Sequence, residues 1–228
     1  MQTATANLIP VVNLRPPHTR YRKGVKQPHN NMLKRGKQNT KLGDKVTIKM
    51  WKGMTMYSLT LEERATCPDD CSQWDNCYGD NMPFGHRFDH TALDFIYYLE
   101  EQLEQLNNKH TKGFIVRLHV LGEFYDPFYV MQWQKWLRIF PNLRVFGYTH
   151  RKLGTLIGDQ IDLANKEFPD RFRIRFSDDQ STKFSAHVGT DTAATGGIMC
   201  PEQTGKTDSC ATCGYCWTSE NPVVFIEH

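Results

Sequence analysis

The apolar positions of this chain follow two spacings, and their order along the chain predicts the fold. "GFIVRLHVLGEF" (113–124) is a nearly continuous apolar run, as expected of a strand covered on both faces. "NLRVFGYTH" (142–150) and "RFRIRFSDD" (171–179) also read as strands, and "PVVFIEH" (222–228) as a last one. Between them, "DPFYVMQWQKWLRIF" (126–140) opens with an Asp N-cap and a first-turn Pro and reads as a helix. "LGTLIGDQIDLANKEF" (153–168) reads as another helix, weakened by two glycines. Upstream, "RFDHTALDFIYYLEEQLEQLNN" (87–108) places Leu93, Ile96, Tyr97, Leu99, Leu103 and Leu106 near helical spacing. "KVTIKMW" (45–51) and "MTMYSLT" (54–60) are predicted short strands.

Strand and helix therefore alternate, which predicts an α/β fold built from βαβ units around a parallel sheet, either open or a partial (β/α) barrel. In both, ligands sit at the carboxyl ends of the strands. Gly122, Glu123, Tyr148, Thr149, His150, Ser177, Asp178 and Asp179 fall on that rim. Alternation along a strand puts Arg117 and His119 on one face, and Arg173, Arg175 and Ser177 on one face of the next-but-one strand, opposite Phe172, Ile174 and Phe176. The apolar faces are expected to meet the helices and the polar faces to line an interior. A row of buried arginines requires pairing, by Glu123, Asp178 or Asp179, or an anionic ligand. His119 in a buried strand reads first as a hydrogen-bonded core residue, and Trp133 and Trp136 as core anchors.

The chemistry enters with the cysteines. All seven fall in two clumps of the 228-residue chain, "CPDDCSQWDNC" (67–77) and "CPEQTGKTDSCATCGYC" (200–216). An odd count argues against a closed disulfide framework, and clustered thiolates suit zinc or iron–sulfur centres. Cys210, Cys213 and Cys216 have ferredoxin-type spacing, with Cys200-Pro201 as a fourth ligand; together they close a cubane or a tetrahedral zinc site. Cys67, Cys71 and Cys77 leave one position of a four-coordinate site open. Either three plus four cysteines form two sites, or one site draws on both clumps. All-cysteine ligation favours a [4Fe-4S] cluster, with zinc as the competitor. Tyr78 and Trp217, each following a cysteine, are expected to shield a cluster from water.

Charge changes the picture at one end only. Residues 15–52 hold twelve Lys or Arg and one acid, so the formal +3 of the chain divides into about +11 there and about −8 elsewhere. The segment reads as a basic arm (1–43) ahead of a single α/β metal-binding domain (44–228). It contacts nucleic acid or wraps the acidic body of its own chain. No apolar run reaches the length of a membrane span and the N-terminus lacks a secretory layout, so a reducing cytoplasm is expected. No H-x-E, H-E-x-x-H or phosphate-loop spacing is present, which argues against a zinc hydrolase, a deaminase or a P-loop enzyme.

The strand–helix–strand run "FIVRLHVLGEFYDPFYVMQWQKWLRIFPNLRVFGYTHR", with "CPDDCSQWDNCYGDN" before it and "CPEQTGKTDSCATCGYCW" after it, resembles the gene product 88 family of phages and plasmids. The likeness covers roughly residues 54–220, with Glu123 where the family mostly carries Asp. It implies a phage or mobile-element origin and a host-cell setting. A looser resemblance is to radical S-adenosylmethionine enzymes, in which the first barrel strand runs into a three-cysteine loop holding a [4Fe-4S] cluster. The second strand there ends in a Gly-Gly-Glu-like motif, here Leu121-Gly122-Glu123, and the last two cysteines stand closer together than Cys71 and Cys77. That resemblance implies a partial barrel and S-adenosylmethionine as a cofactor at Gly122 and Glu123; the polar strand faces place Glu123, Arg117, His119, Arg173 and Arg175 to position the ligand in a common groove. The sequence thus predicts a cluster protein of redox or radical chemistry; the alternative is a non-catalytic, metal-stabilised nucleic-acid-binding protein.

Overall fold

The computed structural model describes residues 16–48 and 50–227. The strands are β1 (Val25–Lys26), β2 (Lys34–Arg35), β3 (Thr55–Ser58), β4 (Arg87–Phe88), β5 (Phe114–Leu118), β6 (Leu143–Thr149), β7 (Phe172–Ser177), β8 (Ser185–Val188), β9 (Ile198–Met199) and β10 (Val223–Phe225). The helices are α1 (Phe95–Lys109), α2 (Pro127–Ile139), α3 (Leu156–Glu167), α4 (Cys210–Cys213) and α5 (Tyr215–Thr218). Eight strands form one open sheet in the order β2-β3-β5-β6-β7-β8-β10-β9, and β1 pairs with β4 apart from it. Every pairing in the large sheet is parallel except β2 with β3.

Local chemistry sets the helix starts. Asp126 accepts the Phe128 N–H at 2.6 Å ahead of Pro127, and Thr155 accepts the Gly158 N–H at 3.1 Å. The buried face of α2 carries Tyr129, Trp133 and Trp136 into the core. Trp133 and Trp136 meet edge to face at 4.9 Å, worth about 0.5–1.5 kcal/mol beyond their buried area.

The strand faces divide the molecule into two layers. Phe114, Val116, Leu143, Val145, Phe172, Ile174 and Phe176 join the helices in the larger core. Met56, Ile115 and Phe146 point the other way, onto residues of 42–51 and onto Ala211 and Trp217. The cysteine-bearing α5 rests on this second face, against β6 and β7. The expected opposition of Phe172, Ile174 and Phe176 to Arg173, Arg175 and Ser177 is found.

The sheet has two free edges, β2 and β9. Three expectations need correction. The helix expected from 87 begins only at Phe95. Arg87 is instead drawn into a buried bidentate pair with Glu63, at 2.6 and 2.8 Å, and Asp89 turns the chain by accepting the Thr91 N–H and O–H. Leu93 and Tyr97, both on the apolar spacing of that helix, are exposed. The strand expected over 45–51 is a turn, with Lys49 outside the described residues: Gly53 N–H bonds Val46 O, Val46 N–H bonds Met54 O, and Trp51 adopts φ +61. The strand expected over 113–124 ends at Leu118, because Val120 and Leu121 bond to Leu59 and Leu61 instead.

Candidate metal centre

The first cysteine loop is fastened to the end of β5. Val120 N–H bonds Leu59 O and Leu61 N–H bonds Leu121 O. Thr66 Oγ1 donates to Glu62 O at 2.8 Å and accepts the Glu123 N–H at 2.9 Å. Gly122 is required there. Its φ is +82, and a Cβ would lie 2.7 Å from Leu61 Cβ and 2.8 Å from Thr66 Oγ1. The loop then folds on itself through the Cys71 N–H to Pro68 O and Trp74 N–H to Cys71 O bonds. A bidentate Arg64–Asp80 pair, at 2.9 and 2.8 Å, ties its far end.

The second set comes from the last third of the chain. Cys200 directly follows β9, its N–H bonded to Val224 O. Cys210 and Ala211 donate their N–H groups to Lys41 O and Leu42 O, so the basic N-terminal segment anchors the start of α4. Gly214 joins α4 to α5 at φ +65; a Cβ there would meet Ile48 Cδ1 at 1.7 Å. Arg175 secures the exit. All five of its N–H donors are engaged, by the carbonyls of Tyr215, Cys216, Ser219, Asn221 and Ser185.

All seven cysteines line one cavity of about 360 Å³, and all are free thiols. Burial pushes the Cys71 thiol up to about 11 and Cys210 up to about 12. Burial also raises Cys67, Cys77 and Cys216; the charge of Arg175 and the Tyr148 hydroxyl partly offset this at Cys216. The charges of Cys71 and Cys77 add to the rise at Cys67, and those of Cys200 and Cys213 to the rise at Cys216. As placed, no three His, Cys, Asp or Glu side chains among the described residues converge to hold a metal ion.

The family described as Gene product 88 matches residues 25–219. The chain belongs to this family. No curated protein and no solved structure matches the chain, so the likeness to radical S-adenosylmethionine enzymes stands only on the residues quoted above. Among the described residues no helix is long and apolar enough to cross a membrane.

Within this member of the gene product 88 family, the expected ligand-positioning residues are dispersed. Arg117 and Gly122 line the cavity, with Tyr148, His150 and Ser177 from the predicted rim. Glu123 is buried beside it, with both oxygens committed: Oε1 accepts the Phe124 N–H at 2.8 Å and Oε2 the His150 N–H at 2.7 Å. Arg173 pairs with Glu220 and bonds Pro169 O, and Arg175 is the carbonyl clamp, so neither opens onto the cavity. The carboxylates expected to neutralise them, Glu123, Asp178 and Asp179, do neither. Trp217 is buried against Trp51 and Phe146, whereas Tyr78 is exposed.

His119 does not share the face of Arg117. Its strand has ended, and the ring turns into the helix layer to meet the Tyr129 hydroxyl at 3.0 Å and Phe124 edge-on. Burial holds its pKa at about 3, against 6.5 for an exposed ring. The unfolded chain therefore takes up a proton below about pH 6.5 that the native chain refuses until about pH 3, so stability falls as pH drops through that window. In His119→Gln this part of the slope is expected to vanish, as read from urea midpoints across pH 3–7. An unchanged slope excludes His119 as its source.

Two features escaped sequence reasoning. Ser72, directly after Cys71 in the first cysteine loop, donates to Asp178 Oδ2 at 2.7 Å and lies 3.3 Å from His150 Nε2. His187, on β8, approaches the other Asp178 oxygen at 3.8 Å. The His150 ring, with Ser72, holds Asp178 below the usual carboxylate range. Asp178 and His150 were legible as rim residues, but a serine between cysteines and a histidine in a Ser/Thr-rich stretch gave no signal. The basic segment, for its part, lies along the body. Arg20, Arg22, Arg35 and Lys41 meet Asp80, Glu62, Asp44 and Glu202, and β2 joins the large sheet.

Proposed function

We propose that this chain is a phage-type iron–sulfur protein, with thiolate-held centres on the two walls of one cavity and redox or radical-type chemistry between them. The observation that carries this reading is the gathering of all seven cysteines, unpaired, around a single cavity from opposite ends of the chain. Chance burial of structural cysteines would scatter them through the core. The donor set is sulfur only, which suits a [4Fe-4S] cluster first and zinc second. Their positions in the chain group them as three and four. The three-cysteine wall leaves a coordination position for a ligand in the cavity, and the four-cysteine wall is complete.

Strands β3, β5, β6, β7 and β8 lie side by side in chain order, the winding of a partial barrel, and the first cysteine loop follows β3 as the resemblance to radical S-adenosylmethionine enzymes implies. The carboxylate of Glu123, however, serves backbone N–H groups, so S-adenosylmethionine binding has no support from that residue. The alternative, a metal-stabilised nucleic-acid-binding protein, retains the exposed Lys23, Lys26 and Lys37 as phosphate contacts.

Oxygen-free purification followed by iron, sulfide and zinc analysis tests the proposal. Brown protein with about four iron and four sulfide per cluster supports it. Colourless protein with stoichiometric zinc moves the assignment to the alternative, and metal-free protein ends both.

A further inference from the structure

Arg117 carries a hydrogen-bonding edge that no described residue meets. It stands on β5 and lines the cavity, its guanidinium 4.5 Å over the Tyr148 ring and 5.7 Å over that of Phe146. Nη1 donates to the carbonyls of Leu118 and His119. Among the described residues Nε and Nη2 have no partner, and Arg117 pairs with no carboxylate. Neither nitrogen is sealed off, in contrast to Arg173 Nε, which is buried without a partner.

The Nε–H and Nη2–H of a guanidinium point the same way, a fork that matches two oxygens of a carboxylate or phosphate. This chain uses that edge on an acid three times elsewhere. Arg35 takes Asp44 at 2.7 and 2.9 Å, Arg87 takes Glu63 at 2.6 and 2.8 Å, and Arg138 takes Glu167 at 3.0 and 2.9 Å. The other strong cations of the cavity wall are already matched, Lys41 with Glu202 and Arg64 with Asp80. Of the acids there, Glu63 is held by Arg87 and Glu227 is bonded by Asn76. Much of the remaining wall is apolar. Val120, Leu121, Val188 and Phe225 line it, and Phe225 stands edge-on to Tyr148 at 5.2 Å. A volume of about 360 Å³ falls in the range of small-molecule sites.

We propose that the cavity binds a small organic oxyanion, a carboxylate or phosphate monoester on an apolar body. Arg117 grips the head group through Nε and Nη2, and the Tyr148–Phe225 pair flanks the body. The ligand then supplies the counter-charge that a partly buried guanidinium otherwise lacks. This assignment names a ligand class for the cavity and stands whether or not the thiols hold metal.

Calorimetric titration of the oxygen-free full chain, with metal content measured on the same sample, tests it. The probes are phenyl phosphate, phenylacetate and the neutral phenylacetamide. The anions are expected to bind, and the amide about 10–100-fold more weakly, as for loss of a charge-assisted pair. Arg117→Met is expected to lose that factor for the anions and nothing for the amide. Arg117→Lys should recover little, because an ammonium lacks the fork. Arg138→Met, which removes a surface guanidinium paired with Glu167, is the control and should bind as wild type does. If Arg117→Met fails to fold, the comparison of anion with amide in the wild-type chain decides. Binding of one anion only narrows the class to that head group. Equal affinity for anion and amide, or binding of neither, overturns the proposal. So does anion binding that survives in Arg117→Met and disappears with a chelator, which puts the anion on metal instead. A metal-loaded chain that binds no anion overturns this proposal alone; a metal-free chain that binds anions through Arg117 overturns the thiolate-centre reading alone.

Discussion

Cys71→Ala is expected to empty one centre and leave the other, and Cys216→Ala to do the reverse. The two walls come from segments that the fold positions independently: the first loop through Thr66, Gly122 and the Arg64–Asp80 pair, the second through Lys41, Leu42 and the Arg175 clamp. Each single variant should therefore lose one centre's complement of metal, and of sulfide if iron is bound, measured per chain after oxygen-free preparation. The remaining spectrum should be that of the untouched centre. If either variant empties the protein completely, the cavity holds one centre shared by both walls. Loading is also expected to weaken as pH falls. Burial raises the thiol pKa values, so binding must expel protons, and higher proton concentration opposes it.

The middle of the fold was legible because burial on both sides of a sheet leaves a long apolar run, and capping chemistry marks the helices on either side. From β5 to β7 the alternation, the Asp126 and Thr155 caps and the opposed faces of β7 all follow from side-chain pattern. Legibility failed where a distant partner overrode local spacing. The apolar spacing of 87–94 looked helical, but Arg87 is worth more to Glu63 than to a helix turn. Strands β8 and β9 are too short to show a spacing of their own, and owe their extended form to β7 and β10.

In the candidate site the cysteines and the existence of a polar face were legible, and the destinations of the charged groups were not. Side-chain alternation placed Arg117 and Arg175 correctly relative to the sheet, but cannot say whether a guanidinium meets a ligand, an acid or a main-chain carbonyl. His119 failed for a different reason. Alternation holds only while the strand continues, and β5 stops one residue before it. Glu123 was read as a ligand group because it follows a strand and a glycine. The same position lets it bridge the ends of β5 and β6 through two backbone N–H groups.

Arg175→Met is expected to destabilise the protein by about 3 kcal/mol or more, with the loss centred on residues 215–221. Five carbonyls lose their donor at once, and a buried carbonyl without a partner costs about 1–3 kcal/mol. Removing the buried cation returns part of this, as does water reaching the more exposed carbonyls. Arg175→Lys should rescue little: an ammonium offers three donors from one point, whereas these carbonyls are spread around a planar fork. Urea midpoints give the global change. Amide exchange distinguishes its origin, because protection should fall first at Thr218 and Ser219, whose N–H groups close α5, while α2 and β5 keep theirs. If both variants unfold at the wild-type midpoint, the carbonyl fork is not what holds the second cysteine segment against β7. The position of Cys216 would then have to be fixed by Trp217 packing and the Tyr148 hydroxyl alone.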